Sequence, residues 1–413
     1  MTSNNDREIL MRLAGEAAEI AALPAQEQKR QMWRDLNALK PQRPMVMIDQ
    51  VCWNEMNVDD ELTLQCEDKE CRRYEDELRR MLYQWRHFRV DMVVEPFIRV
   101  HKAVSNSGLG ISVEEDIAVS DPTNSVVGHA FINQFNTDED LEKIKMPVVK
   151  HDAQETARRL EVAHQIFDGT LEIFEQGMDP YLSVWDPISV WMSVEGALYA
   201  LVDRPDYMRE LTGRMVRGLT SMLDQAESQG LLCHSQSLIH CTGAYTDELP
   251  APGFDPDCPR TKDIWMFGLA QMFSTVSPAM FEEFEIDVCM PIFERFGLVY
   301  YGCCDPLDRK MAEVRKIPNV RKISVSPWAD EERSASEIGK NYVFSRKPNP
   351  ALLAWDDFSE KEVRQHLRAT VDVCERHGCP LELILKDLST VRYDPARLWR
   401  WADIAMELAG AEA

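Results

Sequence analysis

The segment 298–385 carries four short apolar runs, which read LVYYG at 298–302, KISVS at 322–326, YVFS at 342–345 and LELIL at 381–385. Each run has the length of a buried β-strand, and amphipathic helical stretches such as 307–315 and 359–377 separate them. Four further runs lie upstream, at 93–97, 126–131, 181–185 and 237–241. Buried strands that alternate with helices predict a parallel sheet, and eight such units over about 300 residues are typical of a (β/α)8 TIM barrel.

A doubly wound open sheet is the main alternative to the barrel. Its phosphate-binding loop is not evident, because the nearest candidate, Gly108-Leu-Gly110, lacks the third glycine and does not follow a predicted strand. The predicted fold class is therefore α/β, with a (β/α)8 TIM barrel over residues 91–413. Residues 1–90 have apolar side chains at helical spacing, which predicts a helical N-terminal extension.

The composition of the chain limits its partners and its location. The 413 residues include 70 acidic and 46 basic side chains, which gives a formal net charge of −24. This charge repels phosphate backbones and anionic bilayers, so neither nucleic acid nor a membrane is an expected partner. The polar N-terminus and the lack of a long apolar run predict a cytoplasmic protein. Its eleven cysteines are expected to be reduced thiols.

Polar side chains gather where the predicted strands end. In a parallel barrel the functional groups lie at the carboxyl ends of the strands, so these residues predict a functional face. Loops are solvated, which by itself also makes strand ends polar. In chain order the ends carry Glu95, His129, Asp186, His240, Cys303 with Cys304 and Asp305, Trp328 with Asp330, Arg346 with Lys347, and Lys386 with Asp387.

The element Tyr301-Gly-Cys-Cys-Asp305 is the most specific of these ends. Thiolates bind zinc, and a catalytic zinc uses three protein ligands. Neighbouring residues of a strand point to opposite faces, so Cys303 and Cys304 can share one site only if the strand has ended, which Gly302 allows. His240 is the third candidate ligand. Two buried thiols and a histidine bonded to a backbone carbonyl remain the alternative.

Three further residues are candidates for catalysis. Glu95 and Asp186 are flanked by proline and aromatic residues, and burial would raise the pKa of their carboxyl groups and suit them to acid or base chemistry. Each is equally able to cap a helix or to pair with an arginine. Lys386 follows an apolar run, where it either faces an anionic substrate or forms a salt bridge with Asp387.

The order of three elements is similar to that in the uroporphyrinogen decarboxylase superfamily. These are Asp263-Ile-Trp265, the segment Phe273-Ser-Thr-Val-Ser-Pro278 before a helix rich in Glu and Phe, and a strand that ends in Gly-Cys. Tyr-Gly-Cys-Cys, a Ser-Pro-Trp loop and a final Leu-Lys-Asp strand resemble a divergent branch similar to methyltransferases that exchange methyl groups with corrinoid proteins. The resemblance covers about residues 90–410 and implies a (β/α)8 barrel with a zinc ion that activates the substrate's heteroatom.

The correspondence with the zinc ligands of those methyltransferases is partial. Where they carry His-x-Cys-Gly, this chain has Tyr301-Gly302-Cys303, and where they carry a later cysteine it has Lys386 and Asp387. The cysteine of the first element is kept and the histidine is not. The resemblance therefore implies an altered set of metal ligands, namely His240, Cys303 or Cys304, and a carboxylate.

The resemblance implies an enzyme that moves a methyl group from a small substrate, of which a methoxyaromatic compound is one candidate, to a corrinoid carried by a separate protein. Glu95, Asp186 or the zinc ion would activate the leaving oxygen or sulfur. Trp185, Tyr301 and Trp328 would stack on an aromatic substrate. The alternatives are a cofactor-independent decarboxylase or lyase of the same family, and a non-catalytic barrel that binds a small molecule. The sequence leaves the oligomeric state open, and a homodimer is one expectation.

Overall fold

Helices alternate with strands along most of the chain, which the computed structural model describes for residues 3–119, 122 and 127–411. Within these residues the α-helices are α1 (Asn4–Ala21), α2 (Pro24–Asn37), α3 (Lys69–His87), α4 (Ala153–Phe167), α5 (Trp185–Met192), α6 (Val194–Asp203), α7 (Pro205–Ser228), α8 (Pro278–Phe281), α9 (Asp287–Phe293), α10 (Met311–Val314), α11 (Glu331–Ile338), α12 (Ala351–Ala354), α13 (Glu360–His377) and α14 (Ala396–Leu408). A π-helical turn (Glu282–Ile286) joins α8 to α9. None of the described helices combines the length and apolarity that crossing a bilayer requires.

The strands fall into one large sheet and several separate pairs. They are β1 (Met45–Ile48), β2 (Phe97–His101), β3 (Val104–Asn106), β4 (Glu115–Ala118), β5 (Gly128–Phe131), β6 (Val149–His151), β7 (Glu172–Gln176), β8 (Tyr181–Leu182), β9 (Leu238–Ile239), β10 (Thr242–Gly243), β11 (Trp265–Gly268), β12 (Leu298–Tyr301), β13 (Val320–Val325), β14 (Val343–Arg346) and β15 (Leu381–Leu385). Seven strands form the sheet, in the order β1-β15-β14-β13-β12-β11-β8, and every neighbouring pair in it is parallel.

The parallel sheet confirms the predicted α/β class. The four apolar runs of the segment 298–385 are the strands β12 to β15, which lie side by side in the sheet. Hydrogen bonds among the described residues order the seven strands from β1 to β8 and do not join these two edges. The strands β2 and β7 form a separate parallel pair. Closure of the sheet into a TIM barrel therefore stays a prediction.

Two of the upstream strands lie elsewhere than predicted. The run at 93–97 is not a strand, because Pro96 has no N–H to donate, and β2 begins only at Phe97. Glu95 therefore precedes a strand instead of ending one. The run at 126–131 begins with Val126, which lies outside the described residues. The rest of it, β5, pairs in antiparallel fashion with β4 in an exposed hairpin that is not part of the large sheet.

The runs at 181–185 and 237–241 give only short pieces of strand. β8 has two residues, and Trp185 already begins α5. β9 also has two residues and pairs with β10 in a tight hairpin, whose turn consists of His240 and Cys241. The first run is therefore cut short by a helix, which carries Asp186, and the second by a turn, which carries His240.

Several strands match none of the predicted runs, among them β7 and β11. β7 follows α4 after a turn at Gly169, where φ is +82°. β11 lies between the irregular segment that follows β10 and the helix α8. β1 comes from the first ninety residues and pairs in parallel with β15. The domain boundary near residue 90 stays a prediction, although the segment before it contributes a strand to the sheet.

Side chains of the central strands alternate between two environments, as the pleat of a strand requires. One set packs against the helices, and it includes Val299 and Tyr301. The other set forms a separate cluster on the opposite face of the sheet. The buried members of this inner cluster are Ile239, Ala244, Trp265, Phe267, Leu269, Leu298, Tyr300 and Cys303.

A buried ion pair ties the β9–β10 hairpin to the inner face. Lys322 on β13 lies 2.7 Å from Glu382 on β15, and both side chains are fully buried. Thr242 Oγ1 donates to Glu382 Oε2 at 2.7 Å, and Lys322 Nζ donates to the carbonyl oxygen of Gly243 at 3.0 Å. Lys322 is on β13 and Glu382 is on β15, and both contact the hairpin. The network therefore joins the hairpin to two strands that β14 separates.

The replacement Lys322→Met should destabilise the protein strongly, because it leaves the carboxylate of Glu382 buried without a cation. We expect the free energy of unfolding to fall by about 3–5 kcal/mol, as measured by urea denaturation. The exposed pair of Lys316 with Glu282 supplies the matched control, and Lys316→Met should leave the unfolding curve unchanged. Equal behaviour of the two variants would contradict this role of the buried pair.

Candidate active site

Three chain segments meet at the carboxyl ends of β12 and β15. They are the residues that follow β12 (302–304), the residues that follow β15 (386–387) and the turn of the β9–β10 hairpin (240–241). A cavity of about 330 Å³ opens beside them. Its lining includes Cys304, Pro327, Trp328, Lys347, Pro348, Asn349, Lys386 and Asp387.

Left-handed backbone conformations shape all three segments. Gly302 has a φ of +90°, and a Cβ atom at this position would lie 2.5 Å from Leu307 Cδ1, so only glycine fits. His240, Cys241 and Asp387 have φ values of +37°, +68° and +59°. Such conformations cost a non-glycine residue about 1–3 kcal/mol and are frequent at functional sites. The break at Gly302 ends β12, which the sequence had allowed, and lets both thiols reach one site.

Four of the residues predicted from the sequence lie together here. Cys303 Sγ is 3.6 Å from Cys304 Sγ and 3.5 Å from His240 Nε2. Lys386 Nζ is 3.1 Å from Cys303 Sγ and 3.2 Å from His240 Nε2. The imidazole ring stacks on Phe267, with 3.7 Å between the ring centroids and 10° between the planes. The inner cluster therefore fixes the histidine that contacts the thiol and the amine.

The charges of this cluster follow from its contacts. The hydrogen bond from Cys304, together with His240 and the ammonium group of Lys386, lowers the pKa of the Cys303 thiol well below its usual range, although burial opposes this. The same bond raises the pKa of Cys304. Burial favours the neutral amine of Lys386, but Cys303 and Asp387 outweigh it and raise the pKa of Lys386. Burial lowers the pKa of His240. At neutral pH the site therefore holds a thiolate, an ammonium and a neutral imidazole.

The predicted zinc ligands have suitable spacing but already hold a cation. Zinc lies about 2.3 Å from sulfur and about 2.0–2.1 Å from nitrogen, so the separations of Cys303 Sγ from Cys304 Sγ and from His240 Nε2 are those of two ligands on one tetrahedral ion. The ammonium of Lys386 contacts both Cys303 and His240 and takes the space that the ion needs. No group of three or more His, Cys, Asp or Glu side chains in the described residues is arranged to hold a metal. As they stand, these side chains do not fit the predicted zinc site.

Lys347 is a cavity residue that the sequence analysis noted only as part of a strand end. It is 3% exposed, follows β14 and donates from Nζ to the hydroxyl groups of Tyr300 and Ser345. Burial lowers the pKa of Lys347 to about 8, so the amine is still mostly protonated at neutral pH. The strand predicted at 342–345 extends to Arg346 in the structure, and the residue that follows it, Lys347, faces the inner side of the sheet with Ser345.

Two of the three aromatic residues predicted to bind the substrate lie outside this cavity. Trp185 is fully buried and donates from Nε1 to the carbonyl oxygen of Phe284. Tyr301 is also fully buried and donates to Glu285 Oε1 at 2.9 Å. Tyr301 faces the helices because its neighbour in the strand, Tyr300, faces inward. Neither aromatic ring is therefore placed to stack on a substrate in the cavity, whereas Trp328, at 73% exposure, lines it.

The predicted carboxylates also lie apart from the thiols. Glu95 pairs with Arg30 at 2.8 Å and accepts a hydrogen bond of 2.6 Å from Tyr245, beside a different cavity of about 280 Å³. Asp186 accepts a hydrogen bond of 2.5 Å from Tyr181. The ring of Tyr181 lies 5.6 Å from Phe267, so Asp186 is connected to the inner cluster through this tyrosine. Glu95 shares its cavity with the inner-cluster residues Ala244 and Trp265, but it does not line the cavity beside the thiols.

Alkylation of Cys303 by iodoacetamide should depend little on pH between about pH 6 and about pH 8, because its thiolate is already formed there. The variant Lys386→Met removes a stabilising cation, which raises the pKa of the thiol. Alkylation of this variant should then fall about tenfold for each unit of pH below the new value. Mass spectrometry of the Cys303 peptide gives the rates, with N-acetylcysteine as the reference thiol. A wild-type rate that follows the reference thiol would contradict the assignment.

No family model matches this chain, and no curated protein sequence is similar to it. Among solved structures the chain is similar to a methyltransferase from Methanosarcina mazei, with a TM-score of 0.49 and 9% sequence identity, over 92% of this chain and 98% of that chain. At this identity and this TM-score the likeness carries no information about chemistry. The resemblance to the uroporphyrinogen decarboxylase superfamily rests on the sequence motifs, and the function has to be argued from the chain's own side chains.

Proposed function

We propose that this chain is a methyltransferase that takes a methyl group from a small substrate, of which a methoxyaromatic compound is one candidate, and passes it to a corrinoid on a separate protein. The observation that carries the proposal is the contact of the Cys303 thiolate with the Lys386 ammonium beside a cavity of about 330 Å³. The corrinoid would supply the nucleophile that accepts the methyl group. All other tasks fall to residues of this chain.

Lys386 would stabilise the leaving oxygen. When the methyl carbon leaves a methyl ether, the C–O bond breaks and its electron pair stays on oxygen, which needs a hydrogen-bond donor or a proton. The three N–H bonds of Lys386 face Cys303, His240 and Asp387, the last at 3.3 Å. Asp387 is the most exposed of these partners, with 49% of its side chain accessible. A substrate oxygen would take the place of Asp387 and accept the hydrogen bond from that N–H group.

Cys303 and His240 would act as positioning residues for Lys386. Burial lowers the pKa of an ammonium group, and at Lys386 the thiolate opposes this effect by supplying the opposite charge. His240 Nε2 lies 3.2 Å from the same ammonium, and stacking on Phe267 holds the imidazole ring in place. In this proposal the charge of Lys386 activates the substrate's heteroatom, the task that the family resemblance gave to a zinc ion.

Metal analysis tests this assignment of the charge. We expect wild-type protein that has been dialysed first against zinc sulfate and then against metal-free buffer to retain far less than about one zinc per chain, because the ammonium competes for the same space. The variant Lys386→Ala removes the ammonium and should retain more zinc than the wild type. Plasma mass spectrometry measures both. About one zinc in the wild type would overturn this assignment and favour the ligand set predicted from the sequence.

Methyl transfer itself is tested with free cob(I)alamin in place of the corrinoid protein. We expect methylcobalamin to form, as followed by its visible spectrum, with at least one donor from a panel of methoxyphenols, methoxybenzoates, methylated thiols and methylated amines. Lys386→Met should lower the rate by about 10²–10³-fold, the effect of removing one such donor from an active site. The matched control is Cys258→Ser, a change at an exposed thiol away from the cavity.

A decarboxylase is the second candidate, and one observation favours it. Two buried lysines, Lys347 and Lys386, line the cavity, and ammonium groups attract a carboxylate. Release of carbon dioxide from a carboxylated donor without methylcobalamin would replace the methyltransferase proposal by this one. If no donor in the panel turns over and the Lys386→Met variant behaves like the wild type, the cavity is a binding site without catalysis.

A further inference from the structure

The surroundings of Lys347 differ from those of the other inner lysines. Its Nζ bonds only to neutral groups, the hydroxyls of Tyr300 and Ser345, the latter at 2.8 Å. Among the residues that the structure describes, no carboxylate oxygen lies within 4.0 Å of Nζ. Lys347 is therefore a buried ammonium whose direct contacts carry no opposite charge.

The negative groups nearby are already paired with other cations. Glu382 lies 2.7 Å from Lys322. The Cys303 thiolate lies 3.1 Å from Lys386, and Asp387 lies 3.3 Å from the same ammonium. Each of these anions contacts another lysine directly, so Lys347 has no direct counter-ion.

A buried charge without a counter-ion is costly, and proteins pair such charges or use them to bind ligands. Lys347 lines the cavity of about 330 Å³ next to Lys386. We propose that Lys347 is the anion-binding residue of this cavity and takes the carboxylate group of an aromatic carboxylate substrate. This inference names the substrate class for the proposed methyltransferase site, although the binding of such an acid does not require that methyl transfer occurs.

The rest of the lining fits the aromatic part of such a ligand. The indole ring of Trp328 and the rings of Pro327, Pro348 and Pro350 supply apolar surface to the lining of the cavity. Aromatic faces and proline rings are suited to a planar ring, and Asn349 adds a polar group beside them. The thiol of Cys304 and the amine of Lys386 lie in the same lining, so a ring held by Lys347 and Trp328 would lie next to the reactive groups.

Calorimetric titration of the full chain with benzoate and with benzamide tests the proposal. The two probes have the same ring and nearly the same shape, and only benzoate carries a negative charge. We expect benzoate to bind at least about tenfold more tightly than benzamide, since one lost charge-assisted hydrogen bond is worth about 1.5–3 kcal/mol. Equal binding of the two probes, or no binding of benzoate, would overturn the proposal without any need for a variant.

Two variants locate the binding. Lys347→Met should weaken benzoate binding at least about tenfold and leave benzamide unchanged, whereas Lys340→Met, at an exposed lysine outside the cavity, should change neither. The melting temperature of each variant shows whether it is folded. Inorganic phosphate is the third probe, and phosphate binding that exceeds benzoate binding would overturn the aromatic part of the proposal. Benzoate binding in a protein that methylates no cobalamin would leave this inference standing while the proposed function fails.

Discussion

The site depends on the buried ion pair between Lys322 and Glu382. This pair holds the β9–β10 hairpin against the inner face of the sheet, through Thr242 and the carbonyl of Gly243. The turn of that hairpin carries the imidazole that contacts both the thiol and the amine. A hairpin of two-residue strands has few hydrogen bonds of its own. Its position therefore depends on its contacts with the ion pair of Lys322 and Glu382.

Three inward lysines divide the inner face into three electrostatic situations. Lys322 pairs with a carboxylate, Lys386 contacts a thiolate, and Lys347 contacts only neutral hydroxyl groups. Burial of an ammonium is unfavourable unless an opposite charge compensates it, so Lys347 is the lysine that an anionic ligand would stabilise most. The same residue type thus has different roles on the inner face, and the contacts of each lysine decide which role it has.

The sequence predicted the C-terminal half of the fold well, because each of the strands β12 to β15 contains a short, mainly apolar run and clear helices separate them. It also allowed a strand end at Gly302, which is what brings Cys303 and Cys304 to one site. It could not tell which aromatic residues face the cavity, since an apolar run does not show which of its two faces packs against the helices. Tyr301 lies on the helix-facing side of β12, and Trp185 is a buried residue of α5. Glu95 was misplaced because Pro96 delays β2.

The pairing of β1 with β15 makes the first ninety residues inseparable from the sheet. If proteolysis or a truncated gene product removed Met45–Ile48, the backbone of Leu381–Leu385 would lose its edge partner. That strand is wholly apolar apart from Glu382, and an uncovered edge of this composition is a template for aggregation. By covering this edge, β1 should also reduce the tendency of the protein to self-associate.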